Sequence, residues 1–349
     1  MMVSMTHSLG RLAVVTTALT LLSSGLAGCG LLDGSTPVED ALEYLPASTT
    51  ALTFTDRAAM DDRLDLDDLA TPASEDELAD WGRAQQDEGY GTELSAWVAV
   101  MQKAAFSDLD VEWEASGTSV DDGRVRVWKL DDDVDFGKIA DDLEDAGYEH
   151  GTSGDVETFE TSPESADESG LYGGRYPGIL TSLALVPDEH LVLSGAVELA
   201  IDVANDDEDS LSDEGSFDDL LDRAPDAGDL EYAALSLEGL CGLGDRVTPE
   251  QAAREFEGLS HPDRGEALFA DPDAVTAVRL FSDDNDAESD AKGLETYLDE
   301  RASTRGFDVG LDVQADGDAV TAEGSFDDRR AMVQAWSRAD GPFACPLGK

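Results

Sequence analysis

The sequence predicts an α+β fold made of two tandem, weakly similar halves of antiparallel or mixed sheet with packed helices. Three observations carry this. Short segments such as Thr50–Thr55 and Arg124–Leu130 alternate apolar and polar residues with the period of two that half-buried strands show. Longer segments between them place apolar residues on one stripe of a helix. The same order of patterns returns later in the chain, around a hexapeptide that occurs twice without change, Glu214–Asp219 and Glu323–Asp328.

In chain order, the first element is an export signal. No acidic residue precedes Asp33, and Leu12–Gly28 is an apolar-rich run shorter than the roughly 20 residues a membrane-spanning helix needs. It ends in Leu26, Ala27 and Gly28, immediately before Cys29. These four residues resemble the lipobox of bacterial lipoproteins, where a signal peptidase cuts just before a cysteine that carries lipid. The resemblance implies that residues 1–28 are a lipoprotein signal peptide, with Leu26, Ala27 and Gly28 as the peptidase recognition residues. It also implies that Cys29 becomes a lipidated N-terminus, anchored through acyl chains such as palmitate; two chains hold a protein stably where one binds marginally. Residues 29–44 contain Gly, Ser and Pro and read as a flexible tether.

The first half of the body, residues 45–226, opens with the strand Thr50–Thr55. Leu94–Phe106 is too densely apolar for a surface helix and reads as buried. Arg124–Leu130 is a strand, Asp131–Asp135 an acidic turn, and Phe136–Ala146 an amphipathic helix with Phe136, Ile139, Ala140 and Leu143 on one stripe, stopped at Gly147. Ser162–Gly178 is a loop by composition. Ile179–Val186 and His190–Ser194 form a hairpin around Pro187-Asp188-Glu189, and Ala196–Ala204 is a helix.

The second half, residues 227–349, repeats this order after a junction near Pro225–Asp229; the alternative is one continuous domain. Leu230–Leu237 is a strand, as Thr50–Thr55 is. Ala274–Phe281, an acidic turn and the helix Ala287–Ala302 echo Arg124–Ala146. Phe307–Val313 and Ala319–Glu323 form a hairpin before the helix Phe326–Ala339. Ser216 and Ser325 of the hexapeptides stand where helix N-caps are expected. Asp219 and Asp328 follow three residues on, a capping box with Asp in the place of Glu. With its lipobox, acidic composition and the entry Leu45–Ala51 into the first strand, the chain resembles acidic actinobacterial envelope lipoproteins. That resemblance implies export and a lipid anchor at the outer face of the cytoplasmic membrane, and no particular activity.

Asp and Glu number 79 against 22 Lys and Arg, a formal net charge of −57, while 41% of residues are hydrophobic, enough to build a core. Such a charge repels phosphate backbones and excludes nucleic acid as a partner. It suits a cation-binding face or a solvated, salt-adapted one, since net charge speaks to solubility more than to function. With Cys29 lipidated, Cys241 and Cys345 remain as an even pair in a compartment where disulfides persist, and a Cys241–Cys345 bridge is expected.

Chemical motifs are sparse. Asp312, Asp316, Asp318 and Glu323 occupy the first, fifth, seventh and twelfth places of a calcium loop with Gly317 sixth, but Gln314 and Val320 spoil the third and ninth. The flanking alternation fits a hairpin turning at Asp316-Gly317 better. No nucleophile elbow, Ser-x-x-Lys helix start, phosphate-binding loop or dinucleotide fingerprint occurs, so no catalytic residue and no cofactor is assigned. His150 and His261 sit in polar loops, and the five tryptophans do not share one element. The expected function is a membrane-anchored, non-catalytic binding or envelope-accessory protein, its partner an envelope protein or small ligand. The alternatives are a cell-envelope hydrolase with an unrecognised site and an acidic, cation-binding structural protein.

Overall fold

The structure is a computed structural model that describes residues 36–66, 69, 73–154, 156–161, 174–225, 229–240, 254, 256–300 and 302–344. Its first element, α1 (Pro37–Leu42), has a complete capping box between Thr36 and Glu39, and proline in its first turn. Val38, Ala41 and Leu42 are buried. The flexible tether expected over residues 29–44 is therefore corrected from Thr36 onward. Its Gly, Ser and Pro content masked a capped helix whose apolar residues, spaced i, i+3 and i+4, face the core.

Strand β1 (Ala51–Asp56) runs into α2 (Arg57–Leu64), α3 (Glu75–Glu88) and the short α4 (Val98–Met101). The hairpin β2 (Val111–Ser119) and β3 (Gly123–Leu130) precedes α5 (Phe136–Asp145). Next come β4 (Glu149–Ser153), β5 (Val156–Glu160), β6 (Ser182–Val186) and β7 (Leu191–Gly195), then α6 (Val197–Ala204), α7 (Leu211–Glu214) and α8 (Asp218–Leu221). The second half contributes β8 (Tyr232–Ser236), β9 (Gly265–Ala270), β10 (Ala274–Leu280), α9 (Asp284–Glu300), β11 (Asp312–Asp316), β12 (Ala319–Ser325) and α10 (Arg329–Arg338).

All twelve strands belong to one sheet, ordered β11-β12-β10-β9-β8-β1-β2-β3-β7-β6-β5-β4, and every pairing is antiparallel. The α+β class holds. The junction near Pro225–Asp229 falls inside this continuous sheet: β1 pairs with β8, with Phe54 opposite Ala233. Outward from that seam, β2, β3, β7 and β6 answer β9, β10, β12 and β11, and the first half adds β5 and β4 at its edge.

Both faces of the sheet are covered. One carries Phe54, Val127, Leu193, Leu235 and Phe269 beneath residues of α1, α6 and α8. The other carries Trp128 and Leu183 against Ile139 and Leu143 of α5, and Leu268 and Ala277 against Leu294 of α9 and Met332 of α10. Such two-sided burial erases alternation, which is why β9, buried along its whole length, goes unannounced in the sequence.

Three local expectations are corrected. Leu94–Phe106 is no continuous helix but a 3₁₀ turn, Leu94–Trp97, followed by α4. Its apolar density reflects the burial of Leu94, Val98, Met101 and Phe106. Phe307–Val313 is strand only from Asp312. The two hexapeptides are not structural equivalents. Ser325 begins a 3₁₀ turn and its hydroxyl donates to Asp328 at 2.7 Å, whereas Gly215, at φ 60°, ends α7 and Ser216 caps nothing. A strand feeds one copy and a helix the other, and that context outweighs six identical letters.

Candidate functional site

Leu26, Ala27, Gly28, Cys29, Cys241 and Cys345 lie outside the described residues. The calcium candidate is corrected. Asp312 is opposite Glu323 at one end of the β11–β12 hairpin, whereas Asp316 lies at the other end, four residues or roughly 13 Å away. Asp318 beyond it is held by Arg264 and, at 3.3 Å, by Arg223. No group of three His, Cys, Asp or Glu side chains suited to a metal ion forms among the described residues.

The described histidines stay apart. His150 lies on β4, 2.9 Å from Glu144 and stacked on Phe159. His190 occupies the β6–β7 turn, with Nδ1 3.3 Å from the Asp131 carbonyl oxygen and its ring edge-on to Phe136. His261 is exposed in the loop before β9. Their neighbours differ at every position, so no shared site arises.

What the fold does build is a cleft between α3 and α10, floored by the chain from Gly89 to Ser95. It holds about 350 Å³ and is lined by Gln85, Gln86, Gly89, Tyr90, Gly91, Thr92, Ser95, Arg330 and Gln334. In a chain with 79 acidic residues, this lining contains no carboxylate.

Helix α3 starts on a Ser74–Glu77 capping box and ends at Gly89, whose φ of 87° suits the left-handed helix stop. A Cβ at Gly89 would lie 3.0 Å from Arg330, so glycine also lets α10 approach. Glu88 then joins the two walls. Its carboxylate accepts from Arg329 Nε and Nη2, both at 2.6 Å, and from Arg63 Nη2 at 2.7 Å. Burial pushes the Glu88 carboxyl upward, but these two guanidinium groups outweigh it and hold the group below its usual range. The Arg63 and Arg329 guanidinium carbons stand 4.5 and 3.9 Å from the Phe326 ring centroid.

The floor is anchored from behind. Tyr90 donates to Glu231 at 2.7 Å, and Arg63 Nε reaches the same carboxylate at 2.5 Å. Thr92 donates to the fully buried Asp108, which faces Arg57 Nε at 3.3 Å. The Glu93 amide donates to both Glu114 oxygens at 2.8 and 2.9 Å, and Trp128 Nε1 donates to Glu114 as well. Burial pushes the Glu114 carboxyl up to about 8, against those donors. Tyr90, Thr92 and Glu93 of the floor are thus each fixed by a buried acceptor, which preorganises this part of the cleft. Only Gln85-Gln86 and Gly89-Tyr90-Gly91-Thr92, neutral letters within an acidic run, hint at it in the sequence.

The fold and this cleft define a three-layered α+β protein with an open polar recess between helices. No family model matches the chain, and no curated protein matches it. A solved structure, described as crystal form I of TP0453, is similar at a TM-score of 0.36 and 8% identity, over 84% of this chain and 96% of that one. That likeness is too distant to carry an inference. Among the described residues, no helix is long and apolar enough to cross a membrane.

Proposed function

We propose that the protein is an exported lipoprotein, anchored through lipid on Cys29 at the outer face of the cytoplasmic membrane, whose body is a non-catalytic binding module. The anchor reading is supported by the sequence Leu26-Ala27-Gly28-Cys29 behind an apolar-rich run. The binding reading is carried by one observation: a carboxylate-free cleft whose walls are clamped by Glu88 and Arg329. Such fixed walls favour binding because little side-chain ordering remains to oppose it.

Metabolic labelling with an alkyne fatty acid tests the anchor. The wild-type chain takes up label and fractionates with membranes. Cys29→Ala takes up none, and its body is found in the soluble exported fraction. Equal labelling of the two chains would defeat the reading.

A further inference from the structure

The cleft contains an unmet demand for hydrogen bonds. Gln85 is 7% exposed, and neither its Oε1 nor its Nε2 has a partner in the protein. A buried amide without partners is costly, so such groups ordinarily meet protein, water or ligand. Gly91 lies close against this amide, where a Cβ would come within 3.1 Å of Gln85 Oε1. Two further primary amides, Gln86 and Gln334, share the lining.

The chemistry of this lining discriminates among ligands. An anion would find one cation, Arg330, already 3.6 Å from Asp87, on a chain of net charge −57. A sugar would look for an open aromatic face, but the Tyr90 ring is stacked on Tyr232 at 4.9 Å and is 7% exposed. A primary amide presents a donor and an acceptor in one plane. That pair complements the C=O and N–H of an extended peptide residue.

We propose that the cleft binds the amide groups of a peptide-like ligand, with Gln85 as the central contact and Gln334 on the facing wall. This rests on the reading of the body as a binding module. Binding is non-covalent, by hydrogen bonds alone.

Equilibrium dialysis and thermal melting of the full chain in detergent test it, with N-acetyl-tetraalanine amide as probe and maltotriose and inorganic phosphate as controls. The expected result is saturable binding of the peptide that raises the melting temperature. Gln85→Met keeps the side-chain volume and removes both polar atoms. It should melt no lower than wild type and bind at least tenfold more weakly. Gln334→Met, at an exposed position, gives the same weakening with no burden on the core. The proposal is overturned if the folded chain binds no peptide, or if both variants bind it undiminished. It is also overturned if maltotriose or phosphate is the ligand that saturates. A maltotriose response would still leave the binding reading standing, and no outcome here bears on the lipid anchor.

Discussion

Comparing the two halves of the sheet separates what is shared from what is particular. The strands correspond outward from the β1–β8 seam, and α5 and α9 cover the same face. Among the described residues each half also buries one arginine, Arg57 at 0% and Arg279 at 1% exposure, and there the likeness ends. Arg57 faces Asp108 at 3.3 Å and pairs with Asp61, with its guanidinium 5.3 Å from the Trp81 ring centroid. Arg279 stands between two fully buried carboxylates, Glu266 at 3.6 Å and Asp290 at 3.3 Å. It also donates to the carbonyls of Pro342, Ala344 and Ser260 at 2.9, 3.2 and 2.6 Å. The first centre fixes the floor of the cleft through Asp108 and Thr92; the second clamps the end of the described chain. One sheet plan thus supports buried charge for two different tasks.

The last helices differ as well. α6 leaves β7 for one face of the sheet, while α10 leaves β12 for the other. In the first half that second face is already occupied by Leu94, Met101 and Phe106. In the second half it is free for α10, whose arrival completes the cleft. The cleft is therefore a product of the asymmetry between halves.

The largest test of this contrast is covalent. Leu240 donates its amide to Glu266 at 2.5 Å, and Ala344 is held by Arg279, so the residues just before Cys241 and Cys345 meet the same buried ion pair. We propose the Cys241–Cys345 disulfide on that support. A bridge closing a loop of about a hundred residues stabilises by about 4–5 kcal/mol in the chain-entropy account. Denaturant unfolding of Cys345→Ser should show a loss of that order. A native chain with two titratable thiols would refute the bridge.

Next in size are the arginines. Arg279→Met leaves two carboxylates buried without a counter-charge and should lose about 3–5 kcal/mol. Arg57→Met leaves Asp108 alone beside Thr92 and should lose less, about 2–3 kcal/mol. Equal losses would erase the contrast between the centres.

The most gradual effect is on pH dependence. Burial pushes the Glu266 carboxyl up to about 7, with Arg279 and the Leu240 amide opposing, and Glu114 up to about 8. Between the ordinary carboxylate range and those values the folded state keeps protons that the unfolded chain has released. The contribution of these two groups to stability is therefore full in acid and declines as pH rises, by about 1.4 kcal/mol per pH unit for each group, until about pH 7 for Glu266 and about pH 8 for Glu114. Melting curves should show Glu266→Gln flattening the decline below pH 7 and Glu114→Gln flattening it up to pH 8. A stability that rises over that range would contradict both.

Local periodicity marked β1, β3, α5, the β6–β7 hairpin, β10 and α9 close to their observed bounds, because each carries its pattern within a single segment. β2 escaped because Glu112 and Glu114 stand in its sequence VEWEASGTS, and Glu114 is buried only because Glu93 and Trp128 supply its hydrogen bonds. No short window contains that arrangement. The hexapeptide was the opposite case, a conspicuous signal with no tertiary counterpart.

By itself, then, the sequence determined the α+β class and the order of patterns that recurs across the seam. Capping, turn chemistry and apolar spacing act over a few residues and can be read there. Only the tertiary structure decided that both halves share one sheet, which face α10 takes, and that Gln85 and Gln334 line one recess. The bond that holds those walls together, Glu88 to Arg329, spans 241 residues of sequence. Pairing at that distance depends on how the whole sheet buries its two faces, which no local pattern records.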